Sequence, residues 1–362
     1  MRLTIIGFFL LTSCIFSIEE PVFIDVHKKV VFPKHYIVYK TKHTINLDGK
    51  PEEEDWQNAS FTEPFIDIEG IKVPQYKTQV KMLWDDQYLY LYAEMEEPHI
   101  WGDITNHDAI IFYNNDFEVF IDPTDDTYNY TEIEVNALNT TWDLRLDKPY
   151  RFGGKANDYY EIEGLKTAVE IAGTINDPSD MDQYWAVEMA IPLEVILQKK
   201  RKKVKGPQAG DYWRVNFSRV QWEHSIDSGG YSRKKVDGKL LPEYNWVWSN
   251  QGAINMHCPE RWGYIEFTDN ELTHKKSPIE IENLLTKQVA YALLEQIRLG
   301  AHQKMLDNKV GQTQKIQSIH LKDEIFEAKF VKTYSGFEIY IYNQTLEKEF
   351  VINEMGRFKS LQ

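Results

Sequence analysis

The stretch Gln79-Val80-Lys81-Met82-Leu83-Trp84-Asp85-Asp86-Gln87-Tyr88-Leu89-Tyr90-Leu91-Tyr92-Ala93 decides the reading of the fold. Two strand-type runs flank an Asp-Asp turn, which is the pattern of a hairpin. The second arm alternates Tyr with Leu, so one face is phenolic and the other aliphatic, the period of two that a strand requires. Similar runs recur on both sides. Residues 44–49 form an extended piece closing on the turn Asp48-Gly49. Residues 116–121 read as a strand stopped at Pro123, and residues 132–136 pair with 142–146 around an Asn/Thr turn. Further strands are expected at 166–171, 184–191, 213–222, 246–249 and 263–267. Many short strands with few helices predict a mainly β protein, an antiparallel β-sandwich of jelly-roll type.

The composition changes after Asp269. Within residues 278–300, Ile279, Ile281, Leu284, Leu285, Val289, Leu293 and Leu294 recur close to the helical period, and strand-like pieces follow at 325–331, 337–342 and 350–352. The expected organisation is an export signal over 1–17 and a lead segment over 18–40 that pairs at a sheet edge. The sandwich then occupies 41–268, and a small C-terminal α+β extension occupies 269–362.

Apolar residues make up 42% of the chain and aromatic residues 14%, enough to fill a large core. The formal net charge of −15 repels phosphate backbones, which argues against nucleic acid as a partner. The basic run at 199–203 reads as a solvated loop or helix end. At the amino terminus, Met1-Arg2 is followed by an apolar run over 3–11 that is too short to span a bilayer, the pattern of a secretory signal. Leu11-Thr12-Ser13-Cys14 is similar to a bacterial lipobox, which makes Cys14 a candidate lipidation site and the route to any membrane; cleavage after Ser17 is the alternative. The expected location is therefore periplasmic, cell-surface or extracellular. With only Cys14 and Cys258 in the chain, a zinc site or a disulfide framework is not expected.

Five local patterns, in consistent order over 41–268, resemble the family 9 carbohydrate-binding modules. They are Leu47-Asp48-Gly49-Lys50-Pro51 with Asp55-Trp56, the hairpin from Val80 to Tyr90, Asn115-Asp116-Phe117-Glu118-Val119-Phe120-Ile121-Asp122-Pro123, the segment 186–192, and Pro259-Glu260-Arg261-Trp262-Gly263-Tyr264-Ile265. The segments Trp248-Ser249-Asn250-Gln251-Gly252 and Asn255-Met256-His257 resemble a bacterial subgroup. The resemblance implies a non-catalytic domain in which two aromatic rings clamp a mono-, oligo- or polysaccharide. The first ring falls on Phe112, with Tyr113 beside it. The second falls at Met256-His257, where the family carries a tryptophan, so Trp248 or Trp222 is expected to substitute. Glu118 matches the family's sugar-binding strand carboxylate, and its alternation with Phe117 and Val119 places it on the opposite face from them.

Where the family carries a basic residue on the next strand, this chain has Glu134. Two carboxylates on adjacent strands repel unless a cation or Arg145 lies between them. Asn136, Trp142 and Arg145 form a polar-aromatic cluster on that hairpin, and Arg219 with Trp222 follows another strand. Trp101 lies in the loop before the central strand and is a candidate cover for the site. Oxygen-rich Asp122-Pro123-Thr124-Asp125-Asp126 is the candidate for a structural calcium, the one cofactor considered. Two rival functions remain at this level. One is a glycoside hydrolase or lyase using paired carboxylates; the other is an adhesion module with a decayed sugar site.

Overall fold

A computed structural model describes residues 20–197, 206–269, 281 and 283–361. The expected export signal, Cys14 and the basic run at 199–203 lie outside the described residues. Among the described residues thirteen strands form the sandwich sheet; besides the two-residue strands Ile66–Asp67 and Ala156–Asn157, eleven carry it. They are β1 (His35–Lys40), β2 (Thr78–Trp84), β3 (Tyr88–Glu96), β4 (Asp116–Asp122), β5 (Tyr130–Asn136), β6 (Thr141–Leu146), β7 (Lys166–Ala172), β8 (Tyr184–Pro192), β9 (Tyr212–Gln221), β10 (Tyr244–Val247) and β11 (Gly263–Thr268). The hairpin expected from the opening stretch is β2–β3, with Met82 opposite Leu91 and Trp84 opposite Leu89.

The strands run in the order β6-β5-β4-β9-β11-β1-β2-β3-β8-β7, with β10 also pairing the far end of β9. This sheet curls over so that its two halves face each other. Val80, Met82, Leu89 and Leu91 of one half meet Phe117, Val119, Ile133 and Phe217 of the other in a single core. Burial of that apolar area is the main force that holds the two halves together.

The lead segment departs from its expected edge position. β1 lies inside the sheet, parallel to both β11 and β2. The residues before it belong to the extension: Val22 bridges Ile316, and Ile24 and Val26 are buried in the extension's core. There, helix Leu284–Arg298 lays Val289, Leu293 and Ile297 against a five-stranded antiparallel sheet that includes Ile339, Ile341 and Ile352. The α+β character of the extension is as expected; its strands Thr313–Leu321 and Phe358–Leu361 had no counterpart in the pattern reading. No helix among the described residues is long and apolar enough to cross a membrane.

The Asp-Gly turn shows how local sequence positions the frame. Gly49 has φ of +87°, and a Cβ there would lie 2.7 Å from the backbone nitrogen of Glu170, so only glycine fits. The turn delivers Trp56, fully buried, to the outer face of β8.

Candidate functional site: an acidic pocket on the outer face of the central strands

Every residue of β4 and β5 is buried, on both faces. Phe117, Val119, Ile133 and Val135 enter the core. The alternate residues face outward, and the register places Glu118 opposite Glu134, and Phe120 opposite Glu132. Glu118 thus stands on the face that its alternation predicts. Asp116, Glu118, Glu132 and Glu134 crowd together there, and one oxygen from each of Asp116, Glu118 and Glu134 lies within 4.8 Å of the others. Burial disfavours the charged form, and like charge adds to it. Burial pushes Glu118 up to about 7, with Glu243 adding to the rise and Ser218 opposing it. Asp116, Glu132 and Glu134 are pushed well above the usual carboxylate range, by burial first and by their neighbouring carboxylates second.

Above this floor lies a cavity of about 340 Å³, lined by Phe112, Trp142, Tyr150 and Met256-His257 on its walls and by Glu118, Glu132 and Glu134 below. Phe112 is held from both sides. Its backbone N–H donates to Glu134 Oε2 at 3.0 Å, and its carbonyl accepts from Trp222 Nε1 at 2.8 Å. Tyr150 meets the His257 ring edge-on at a centroid distance of 4.5 Å. His257 Nδ1 in turn pairs with the Tyr130 hydroxyl at 2.9 Å. Phe112 and His257, far apart in sequence, therefore face one cavity.

The other expected residues are placed elsewhere. Arg145 registers with Thr131, so it lies on the opposite face of the hairpin from Glu132 and Glu134. Its guanidinium donates to the Tyr160 hydroxyl and the Asn129 carbonyl, and it does not separate the carboxylates. Arg219 points inward, where it pairs with Glu97 at 3.0 Å and donates to Thr78 Oγ1. Trp248 is a core residue packed on Gly263, where a Cβ would come within 2.3 Å of its ring, so it is no substitute ring. Trp222 positions Phe112 without lining the cavity. Asn136 ties the Ile104 carbonyl and the Thr140 N–H into its own turn. Tyr113 and Trp101 line a separate cleft of about 740 Å³ with Tyr231 and Arg233. In the acidic turn, Asp125 is paired with Arg214 and Lys287, and Asp122 accepts the Thr127 N–H, so these oxygens already bind groups of the chain.

Part of the chain is similar to known proteins. Residues 47–211 match the profile of the carbohydrate family 9 binding domain-like family. That segment is similar to family 9 carbohydrate-binding domains. Over 202 residues the chain is 26% identical to endo-1,4-beta-xylanase C of Paenibacillus barcinonensis, which covers 54% of this chain and 16% of the xylanase; the chain thus spans a small part of that relative. A family 9 module of Caldicellulosiruptor kristjanssonii in complex with cellotriose is 18% identical, with a TM-score of 0.44, and covers 68% of this chain and 100% of its own. A family 9 module of Caldicellulosiruptor kristjanssonii in complex with glucose is 18% identical, with a TM-score of 0.43, and covers 67% of this chain and 100% of its own.

Pattern reading missed Tyr150, Asp116 and Glu132 as residues of this pocket. The last two carried a signal, because each lies two residues from a recognised carboxylate and so shares its face. Tyr150 had none, since only the fold of its short 3-10 turn brings it to the pocket.

His257 gives the pocket a measurable pH signature. Burial, aided by Arg151, pushes it down to about 4. The unfolded chain takes up this proton near pH 6.5, whereas the folded chain resists until about pH 4. The neutral ring's contribution is therefore fully present above pH 6.5 and is lost as pH falls from 6.5 to 4. Urea midpoints at pH 7 and pH 4.5 should show His257→Gln losing about 2–3 kcal/mol less over this interval than the parent. Equal losses in the two proteins would show that the ring is already protonated when folded.

Proposed function

We propose that the protein is an exported, non-catalytic carbohydrate-binding protein that supports polysaccharide or glycan catabolism. The observation that carries the reading is the convergence of Phe112, Trp142, Tyr150 and His257 around one cavity with acceptors at its floor. A pyranose offers an apolar C–H face and a rim of hydroxyls, which call for flat rings beside planar polar groups. The cavity falls in the range of roughly 300–1,000 Å³ typical of small-ligand pockets. Binding is favoured over hydrolysis because the carboxylates crowd on one floor. A glycosidase needs two of them flanking the scissile bond. Similarity to part of a xylanase supports a setting in polysaccharide breakdown. The amino-terminal pattern supports export, with Cys14 as the candidate anchor.

A glycan array followed by calorimetry with glucose, cello-oligosaccharides and xylo-oligosaccharides tests the reading. Phe112→Ala should weaken the best ligand about tenfold, as the loss of one ring contact implies, while the melting temperature changes little. Release of shortened products would replace the reading with an enzymatic one. Silence across all glycans would favour an adhesion module.

A further inference from the structure

The pocket floor gathers more carboxyl groups than a sugar alone explains. Glu118, Glu132, Glu134 and Glu243 line the cavity, and no lysine or arginine does so among the described residues. Arg145, the counter-charge expected between the carboxylates, lies on the other face of the hairpin. A second observation comes from β9. Ser218 registers opposite Glu118 and is fully buried, and its hydroxyl, though close enough to favour the ionised Glu118, makes no well-formed hydrogen bond. Both oxygens of Asp116 and Oε2 of Glu118 are likewise buried and unpartnered. Buried polar atoms without partners are costly, so several around one point indicate that something else satisfies them.

We propose that Asp116, Glu118 and Glu134 hold a divalent hard cation, calcium above all, with the Ser218 hydroxyl as a further ligand. The donor set is all oxygen and rich in carboxylate, which suits calcium and excludes soft thiolate chemistry. The imidazole that lines the cavity, His257, is engaged by Tyr130. Resting on the saccharide reading above, the inference deepens it: the ion turns its remaining positions toward the cavity, where adjacent sugar hydroxyls complete its coordination.

The test uses chelator-treated protein with calcium, magnesium or manganese chloride added singly, without sugar. Calcium should raise the melting temperature by roughly 4 °C at a hundredfold excess over its dissociation constant. Terbium should give luminescence sensitised by Trp142, which pairs with Glu134 across the strands. Glu134→Gln should abolish both responses. Because Glu134 also holds the Phe112 backbone, Ser218→Ala serves as a second variant, expected to weaken calcium about tenfold with an unchanged circular dichroism spectrum. No response of the parent to any of the three cations, nor to terbium, would overturn the site. Glycan binding that falls at least tenfold in chelator and returns with calcium supports the coupling; binding undiminished in chelator overturns it. A metal response without any glycan binding upholds the cation site and sinks the saccharide reading instead.

Discussion

Glu188→Ala is expected to destabilise the protein by about 4 kcal/mol, measured as a fall in the free energy of urea unfolding. Glu188 is fully buried on β8. Its Oε2 accepts the backbone N–H of Asp48 at 3.1 Å and of Gly49 at 3.0 Å, while Oε1 accepts Trp56 Nε1 at 2.8 Å. One carboxylate thus joins the Asp-Gly turn to the tryptophan that follows it and fastens both to the sheet. Alanine leaves three donors without acceptors in a dry site, each costing about 1–3 kcal/mol, together with the void of the missing side chain. Glu188→Gln is expected to lose most of the same amount, because the amide nitrogen turns a donor toward donors on one side. A loss below 1 kcal/mol for both variants would show that water replaces the carboxylate freely.

This carboxylate also shows why the motif around Leu47 and Trp56 was readable while its anchor was not. An Asp-Gly turn and a tryptophan are local signals; the acceptor that joins them lies far along the chain, and its role appears only when β8 pairs with β3. The same division runs through the pocket. Alternation within β4 placed Glu118 opposite in sense to Phe117 and Val119, because the period of a strand is a local property. The face of Arg145 depended on the register across a hairpin, where Glu134 meets Trp142 and Thr131 meets Arg145. A slip of one residue would exchange the faces, and no local pattern settles that parity. β1 escaped for a related reason. Its partners are parallel strands distant in sequence, so no turn announces the pairing. The fold class needed only local periodicity, whereas the site needed pairings between remote strands.

The second large effect is expected where the extension meets the sandwich: Asp125→Ala should cost about 3–5 kcal/mol. Asp125 lies in the turn after β4, and its carboxylate pairs with Arg214 of β9. It also pairs with Lys287 of the long helix at 2.6 Å and accepts the Tyr264 hydroxyl at 3.2 Å. Burial raises its proton affinity, yet Arg214 and Lys287 outweigh burial and hold the carboxyl below its usual range. Lys287 is pushed down by its own burial, against the pull of Asp125. Removing the aspartate strands two buried cations, and breaking such a pair from one side is far more costly than replacing all its members by apolar groups. The double variant Asp125→Ala with Lys287→Met should therefore recover part of the loss, with a coupling energy above 1 kcal/mol in the cycle. Unfolding followed by tryptophan fluorescence, dominated by the sandwich, should shift together with far-ultraviolet circular dichroism if the lock joins the two parts. Additive single losses with no coupling would show that the aspartate serves Arg214 alone, and that the helix is held by its apolar face and by the Arg261–Glu295 pair beside it.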